Sequence, residues 1–232
     1  MRRALFICAF LASLIQPAAA RRFPRAQKTA DAPTLASASK PVPIDGIAVR
    51  IESDIITESQ VDELAAYQKL VNGKSNPRAE VIRELIDQWI VSGEATATQY
   101  PKPLPADVDR AFAQLEKRIG PPTDFEKRCA DAGISVRAVR GILTEQIHLS
   151  RFLDFRFRPA AQVDAKQVQK YYQDVLVPQL KAKGEKTPSI ADVEPEIREV
   201  LIQQDIDALS KQWLDDTRSG LTIDILSQGA GQ

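Results

Sequence analysis

The chain has 232 residues, a length that fits one domain or two small ones. Lysine plus arginine number 31 and aspartate plus glutamate also 31, so nothing marks an electrostatic footprint for nucleic acid. An apolar content of 44% with 27% charged residues is that of a soluble globular protein, not of a disordered or fibrous one.

Met1 to Ala20 reads as a secretory signal. Arg2 and Arg3 form a basic start, Ala4 to Ile15 a short apolar core, and Ala18-Ala19-Ala20 an A-x-A site with cleavage expected after Ala20. The apolar run is too short to span a bilayer, so no stable membrane insertion is expected after cleavage. Cleavage also removes Cys8. Cys129 is then the sole cysteine, which excludes an intramolecular disulfide. Residues 21–43 are rich in Ala, Ser, Thr, Lys and Pro, with Phe23 the only aromatic. They read as a disordered tether.

Ile47, Val49 and Ile51 alternate with Ala48, Arg50 and Glu52, the pattern of a half-buried strand. Ser53-Asp54 turns the chain and Ile55-Ile56 begins a return strand. A two-stranded hairpin alone is marginal, so a third strand is expected. Thr57-Glu58-Ser59-Gln60 fits a capping box opening a helix that stops at Asn72-Gly73. The next helix starts near Pro77, with Val81, Ile82, Leu85, Ile86, Trp89 and Ile90 as a wide apolar stripe. Three prolines between Tyr100 and Pro105 mark a loop.

Pro105 opens a third helix with Val108, Phe112, Leu115 and Ile119 on one face. Thr123 and Glu126 fit a second capping box, for a short helix closed by Gly133. Ser135 opens a long helix carrying Val136, Val139, Ile142, Leu143, Ile147, Phe152 and Phe155, and Asp164 and Gln167 cap a further one. The stretch Lys181 to Pro188 is polar and punctuated by Gly and Pro. A closing helix at 189–220 is followed by the strand pattern of Leu221, Ile223 and Ile225 at 221–226, the natural third strand for the hairpin. Residues 227–232 read as a flexible tail. The expected fold is mainly α: a multi-helix body, a small antiparallel β element joining both ends, and a long C-terminal helix.

Chemistry has few candidates. The one histidine, His148, sits mid-helix without a recognisable nucleophile motif and reads as a surface or partly packed residue. One histidine and one mature cysteine leave no zinc set, and no Gly-rich phosphate loop follows a strand, so no metal or cofactor is expected. Asp215 and Asp216 point about 100° apart on a helix and cannot act as an acid–base pair. Arg151, Arg156 and Arg158 interleave with Phe152, Phe155 and Phe157. Arginine stems covering aromatic surface near a helix C-terminus explain that cluster.

The order of these signals resembles the SurA-type periplasmic chaperones. The hairpin into Thr57-Glu58-Ser59-Gln60-Val61-Asp62 is similar to the opening of that family, and Arg83 to Ile90, Asp107-Val108-Asp109, Phe125 to Gly133 and Gln146 to Arg158 resemble its following helices. The resemblance spans most of 44–226. It departs where the family often carries a parvulin-type prolyl isomerase domain: the connection here is only Val175 to Pro188, too short for a domain. Intact helix caps and strand pattern on both sides make that short link read as native to the chain. The resemblance implies an ATP-independent chaperone of the periplasm, without enzyme activity. It would bind unfolded or partly folded exported proteins such as outer-membrane protein clients. The residues expected to line its client groove are Trp89, Phe112, Phe152, Phe155, Tyr171 and Trp213. The alternatives are a foldase-related protein with weak or no isomerase activity and a dedicated assembly adaptor for one secreted protein.

Overall fold

The computed structural model describes residues 45–226. The signal and its cleavage site at Ala18 and Ala20, the tether at 21–43 and the tail at 227–232 lie outside the described residues. Three strands, β1 (Ile47–Ile51), β2 (Asp54–Thr57) and β3 (Ile223–Ile225), form one antiparallel sheet in the order β2–β1–β3. The helices are α1 (Glu58–Asn72), α2 (Arg78–Ala97), α3 (Pro105–Ile119), α4 (Pro122–Ala132), α5 (Val136–Phe157), α6 (Ala165–Tyr171), α7 (Val177–Ala182) and α8 (Ile190–Ser219). The fold is mainly α with a small antiparallel sheet and a long final helix, as the sequence pattern predicts.

The sheet ties the two ends of this region together. Val49 pairs with Ile225, Arg50 with Asp224 and Ile51 with Ile223, so one cross-strand pair brings opposite charges together. Ala48 is buried as well as Val49 and Ile51. Strict alternation fails there because the β1–β2 register shifts between Ile47 and Val49. Ile225, expected on the inner face, is exposed, whereas Ile223 packs against the core.

The local chemistry of α1 follows the capping box. Thr57 Oγ1 accepts from the Gln60 amide, and Gln60 Oε1 accepts from the Thr57 amide at 2.8 Å. Gly73 closes the helix at φ 78°, a left-handed conformation that glycine adopts without strain. Asp164 and Gln167 cap α6 in the same reciprocal way, and Ser135 caps α5. The second predicted box does not form. Helix α4 starts one residue before Thr123, with Pro121 at the cap position and Pro122 as its first residue, where a missing N–H costs nothing.

The main core gathers Val49, Ile51, Val61, Val81, Phe112, Phe125 and Val139 from the sheet and helices α1 to α5. A smaller cluster of Val91, Ala95, Leu149 and Phe152 lies between α2 and α5. Trp213 and Leu214 of α8 touch both.

The connection after Asp174 is more helical than expected. A π-type turn over Tyr172–Leu176 carries α6 into α7, with Pro178 tolerated in the first turn of α7. Tyr172 Oη donates to the Pro188 carbonyl at 2.8 Å and pins the remaining link. Helix α8 has 30 residues, about 45 Å at the usual rise, and buries only Ile197, Ile206 and Ser210. Among the described residues no helix is long and apolar enough to cross a membrane.

Candidate functional site: cavities along α5

Four adjoining cavities follow α5, whose 22 residues span about 33 Å. The central one, of about 300 Å³, lies between α2, α5 and α8. Its apolar floor is Val91, Leu149, Leu153, Ile206 and Leu214. A second, of about 280 Å³, is bounded by α1, α2 and α5 and shares Gln88 and Gln146 with the first as a common wall. A third, of about 590 Å³, holds Tyr100, Phe155 and Pro159 and shares Ser150, Asp154 and Gln203 with the central cavity. The fourth, of about 420 Å³, lies at the start of α5 beside Ser59, Glu63 and Ile134. Cavities of this size with apolar floors and a few fixed polar groups suit side chains of a bound polypeptide.

The polar wall is built by a hydrogen-bond relay from α1 into α2. Buried Gln68 accepts from the Asn76 amide at 2.9 Å and donates to Glu84 at 2.8 Å. Burial pushes the Glu84 carboxyl above the usual glutamate range; the Gln68 hydrogen bond opposes the shift and nearby Asp87 adds to it. Tyr67 donates to Gln146 Oε1 at 3.1 Å, which holds the shared wall in place. At the far end Gln203 of α8 donates to Asp154 of α5 at 3.1 Å.

The six expected client-contact residues do not converge on one surface. Phe112 and Phe152 are buried, at 5% and 1% exposure. They belong to the core. Phe112 meets Phe125 edge-on at 5.3 Å with the Arg140 guanidinium over its ring, and Phe152 meets Tyr100 edge-on at 5.5 Å. Helical spacing marked them correctly as apolar-face residues, but that face points inward. Phe155, three residues on from Phe152, is 62% exposed and lines the third cavity against Tyr100. Trp89 is half-buried and donates its indole N–H to Asp54 at 3.1 Å. Trp213 is half-buried under the Arg156 guanidinium, 4.8 Å from the ring centroid. Tyr171 lines a separate cavity of about 220 Å³ with Val175 and Leu201.

Sequence reasoning missed Val91, Leu149, Leu153 and Ser210. Leu149 and Leu153 sit four apart on one face of α5, with Leu149 buried and Leu153 half-buried. That spacing was the available signal. His148 is buried rather than at the surface: its ring stacks on Tyr100 and its Nε2 lies 3.4 Å from the Tyr100 carbonyl oxygen. Cys129 is buried too, and burial pushes its thiol up. The arginine cluster is spent on ion pairs: Arg151 with Asp107, Arg156 with Glu94, and Arg158 with Asp154 and Glu199. Among the described residues no group of three or more His, Cys, Asp or Glu side chains is placed to hold a metal ion.

No protein-family model matches this chain, and no curated protein matches it. Among solved structures, it is similar to a chain from Campylobacter jejuni, where the virulence factor PEB4 and the periplasmic protein Cj1289 are described as two structurally related SurA-like chaperones. That likeness covers 78% of this chain and 99% of the other, at 11% identity and a TM-score of 0.47.

Proposed function

We propose that this protein is a periplasmic holding chaperone that binds unfolded or partly folded exported proteins, outer-membrane proteins among them. The observation that carries the reading is the series of apolar-floored cavities along α5. An extended segment of about ten residues matches a 33 Å helix at about 3.3 Å per residue. Several shallow cavities give many weak contacts instead of one tight one, which shields an aggregation-prone segment yet releases it. No nucleotide and no covalent step enters this mechanism. The secretory signal read at 1–20 supports the location, and the order of caps and strands that resembles SurA-type chaperones supports the class.

The test is aggregation of a urea-unfolded outer-membrane protein diluted into buffer, followed by light scattering. The purified chain without residues 1–20 should suppress scattering at a few-fold excess. Leu153→Asp, which places a charge on the floor of the central cavity, should weaken suppression while far-UV circular dichroism stays native. No suppression by the unaltered chain overturns the reading. Capture of a single secreted protein in place of many would favour a dedicated adaptor.

A further inference from the structure

Three of these cavities, the central, second and fourth, carry only negative charge on their walls, whereas the third also holds Arg151 and Arg158. Glu84, Asp87, Asp154 and Asp207 line the central cavity, Glu63 and Glu145 the second, and Asp62 and Glu63 the fourth. Among the described residues, no lysine or arginine lines any of these three. Two of the carboxylates are already matched: Asp87 pairs with Arg218, and Asp154 with Arg158. Glu63, Glu84, Glu145 and Asp207 have no cationic partner among the described residues. Glu84 is held by amides alone, Gln68 at 2.8 Å and Gln88 at 3.4 Å. A second observation lies in the same central cavity. Ser210 lines it, is 6% exposed, and its Oγ has no hydrogen-bond partner among the described residues. A buried hydroxyl without a partner is costly, and an N–H donor brought by a ligand would satisfy it.

We infer that the α5 cavities select client segments in which apolar side chains alternate with lysine or arginine. The apolar side chains fill the floor at Val91, Leu149, Leu153 and Ile206, and the cations reach the carboxylates of Glu63, Glu84, Glu145 and Asp207. The inference deepens the holding reading above and rests on it. Charge complementarity sets the occupant. A lysine stem lies along apolar surface while its ammonium reaches a carboxylate, whereas an acidic segment meets like charge in the central, second and fourth cavities. Such a filter would favour exported segments rich in lysine and arginine over acidic stretches, with each exposed pair adding a small increment.

The experiment uses three fluorescein-labelled 12-residue peptides with identical leucine and phenylalanine positions. The intervening residues are lysine in one, glutamine in the second and glutamate in the third. Fluorescence anisotropy with the chain lacking residues 1–20 reads the affinities. The lysine peptide should bind about tenfold tighter than the glutamine peptide, and the glutamate peptide weakest. The lysine advantage should shrink on raising salt from about 0.05 to about 0.5 M. The double variant Glu145→Gln/Asp207→Asn should lose most of that advantage, while Glu185→Gln, outside the cavities, should keep it. Equal binding of all three peptides overturns the charge selectivity and leaves the holding function standing. No binding of any peptide overturns both. Self-association of the chain that excludes the lysine peptide also overturns the inference, because the cavities would then face a second copy.

Discussion

Arg158, just past the end of α5, grips Glu199 of α8 with two guanidinium N–H groups at 3.0 and 2.7 Å while the same fork holds Asp154, one turn back. These bonds link the helix that lines the cavities to the helix that closes one side of them. The two carboxylates raise the Arg158 pKa, and in return Arg158 holds Asp154 and Glu199 below the usual carboxylate range. Arg158→Ala should therefore lower Tm and increase hydrogen exchange in the first half of α8. The Tm difference from the unaltered protein should narrow in high salt, because the pairs are exposed. Arg158→Lys keeps the charge but loses the fork and should fall between the two.

Phe152 and Phe155 lie three residues apart on α5 yet have opposite environments. Phe152→Ala should cost about 3–5 kcal/mol in urea unfolding, the range for an emptied aromatic core site. Phe155→Ala should change stability by no more than about 0.5 kcal/mol and should instead weaken client holding. Equal losses at both positions would contradict the burial assignments.

Asp215 receives hydrogen bonds from Lys211 at 2.7 Å and Arg218 at 2.8 Å, which lower its pKa to about 2. A carboxylate with a depressed folded pKa adds stability above the unfolded value, near 4, and loses it as pH falls toward 2. Stability measured by urea unfolding should drop across that window. In Asp215→Asn the drop should be shallower.

Glu84 has the opposite sign. Its pKa is raised, so the folded state keeps the proton longer than the unfolded chain does. Its contribution is most favourable at acid pH and falls as pH rises past the ordinary glutamate range. Glu84→Gln should remove this component of the pH profile. A carbon-detected NMR titration should place the Glu84 midpoint above those of the exposed glutamates.

Cys129 is 1% exposed on α4. A thiol reagent should leave it unmodified in the native protein and react promptly in denaturant, since the reactive thiolate is both buried and disfavoured.

The capping boxes at Thr57 and Asp164, the apolar faces of α2 and α3 and the third strand are legible in the sequence because each is a local or periodic signal. The direction in which a face points is not. Val108, Phe112, Leu115 and Ile119 all turn inward, and nothing within α3 distinguishes that from an exposed client surface. The cavity wall was harder still to foresee. It depends on side chains of α1 meeting partners on α2 and α5, Gln68 with Glu84 across 16 positions and Tyr67 with Gln146 across 79. The π-type turn at Tyr172–Leu176 likewise escapes a 3.6-residue period, which is why the link before α8 looked shorter in helix than it is.

The strand order β2–β1–β3 has a kinetic meaning. The hairpin of β1 and β2 can form as soon as its residues are available, but its third strand arrives only after the helices between them have been made. Joining Ile51 to Ile223 closes a very long loop, whose entropic cost grows slowly with length but delays the step. Until then Val49 and Ile51, which the finished molecule buries completely, offer a vacant strand edge to any neighbouring chain. A newly made copy of this protein is thus, for a time, the kind of molecule that the proposed holding function would shield.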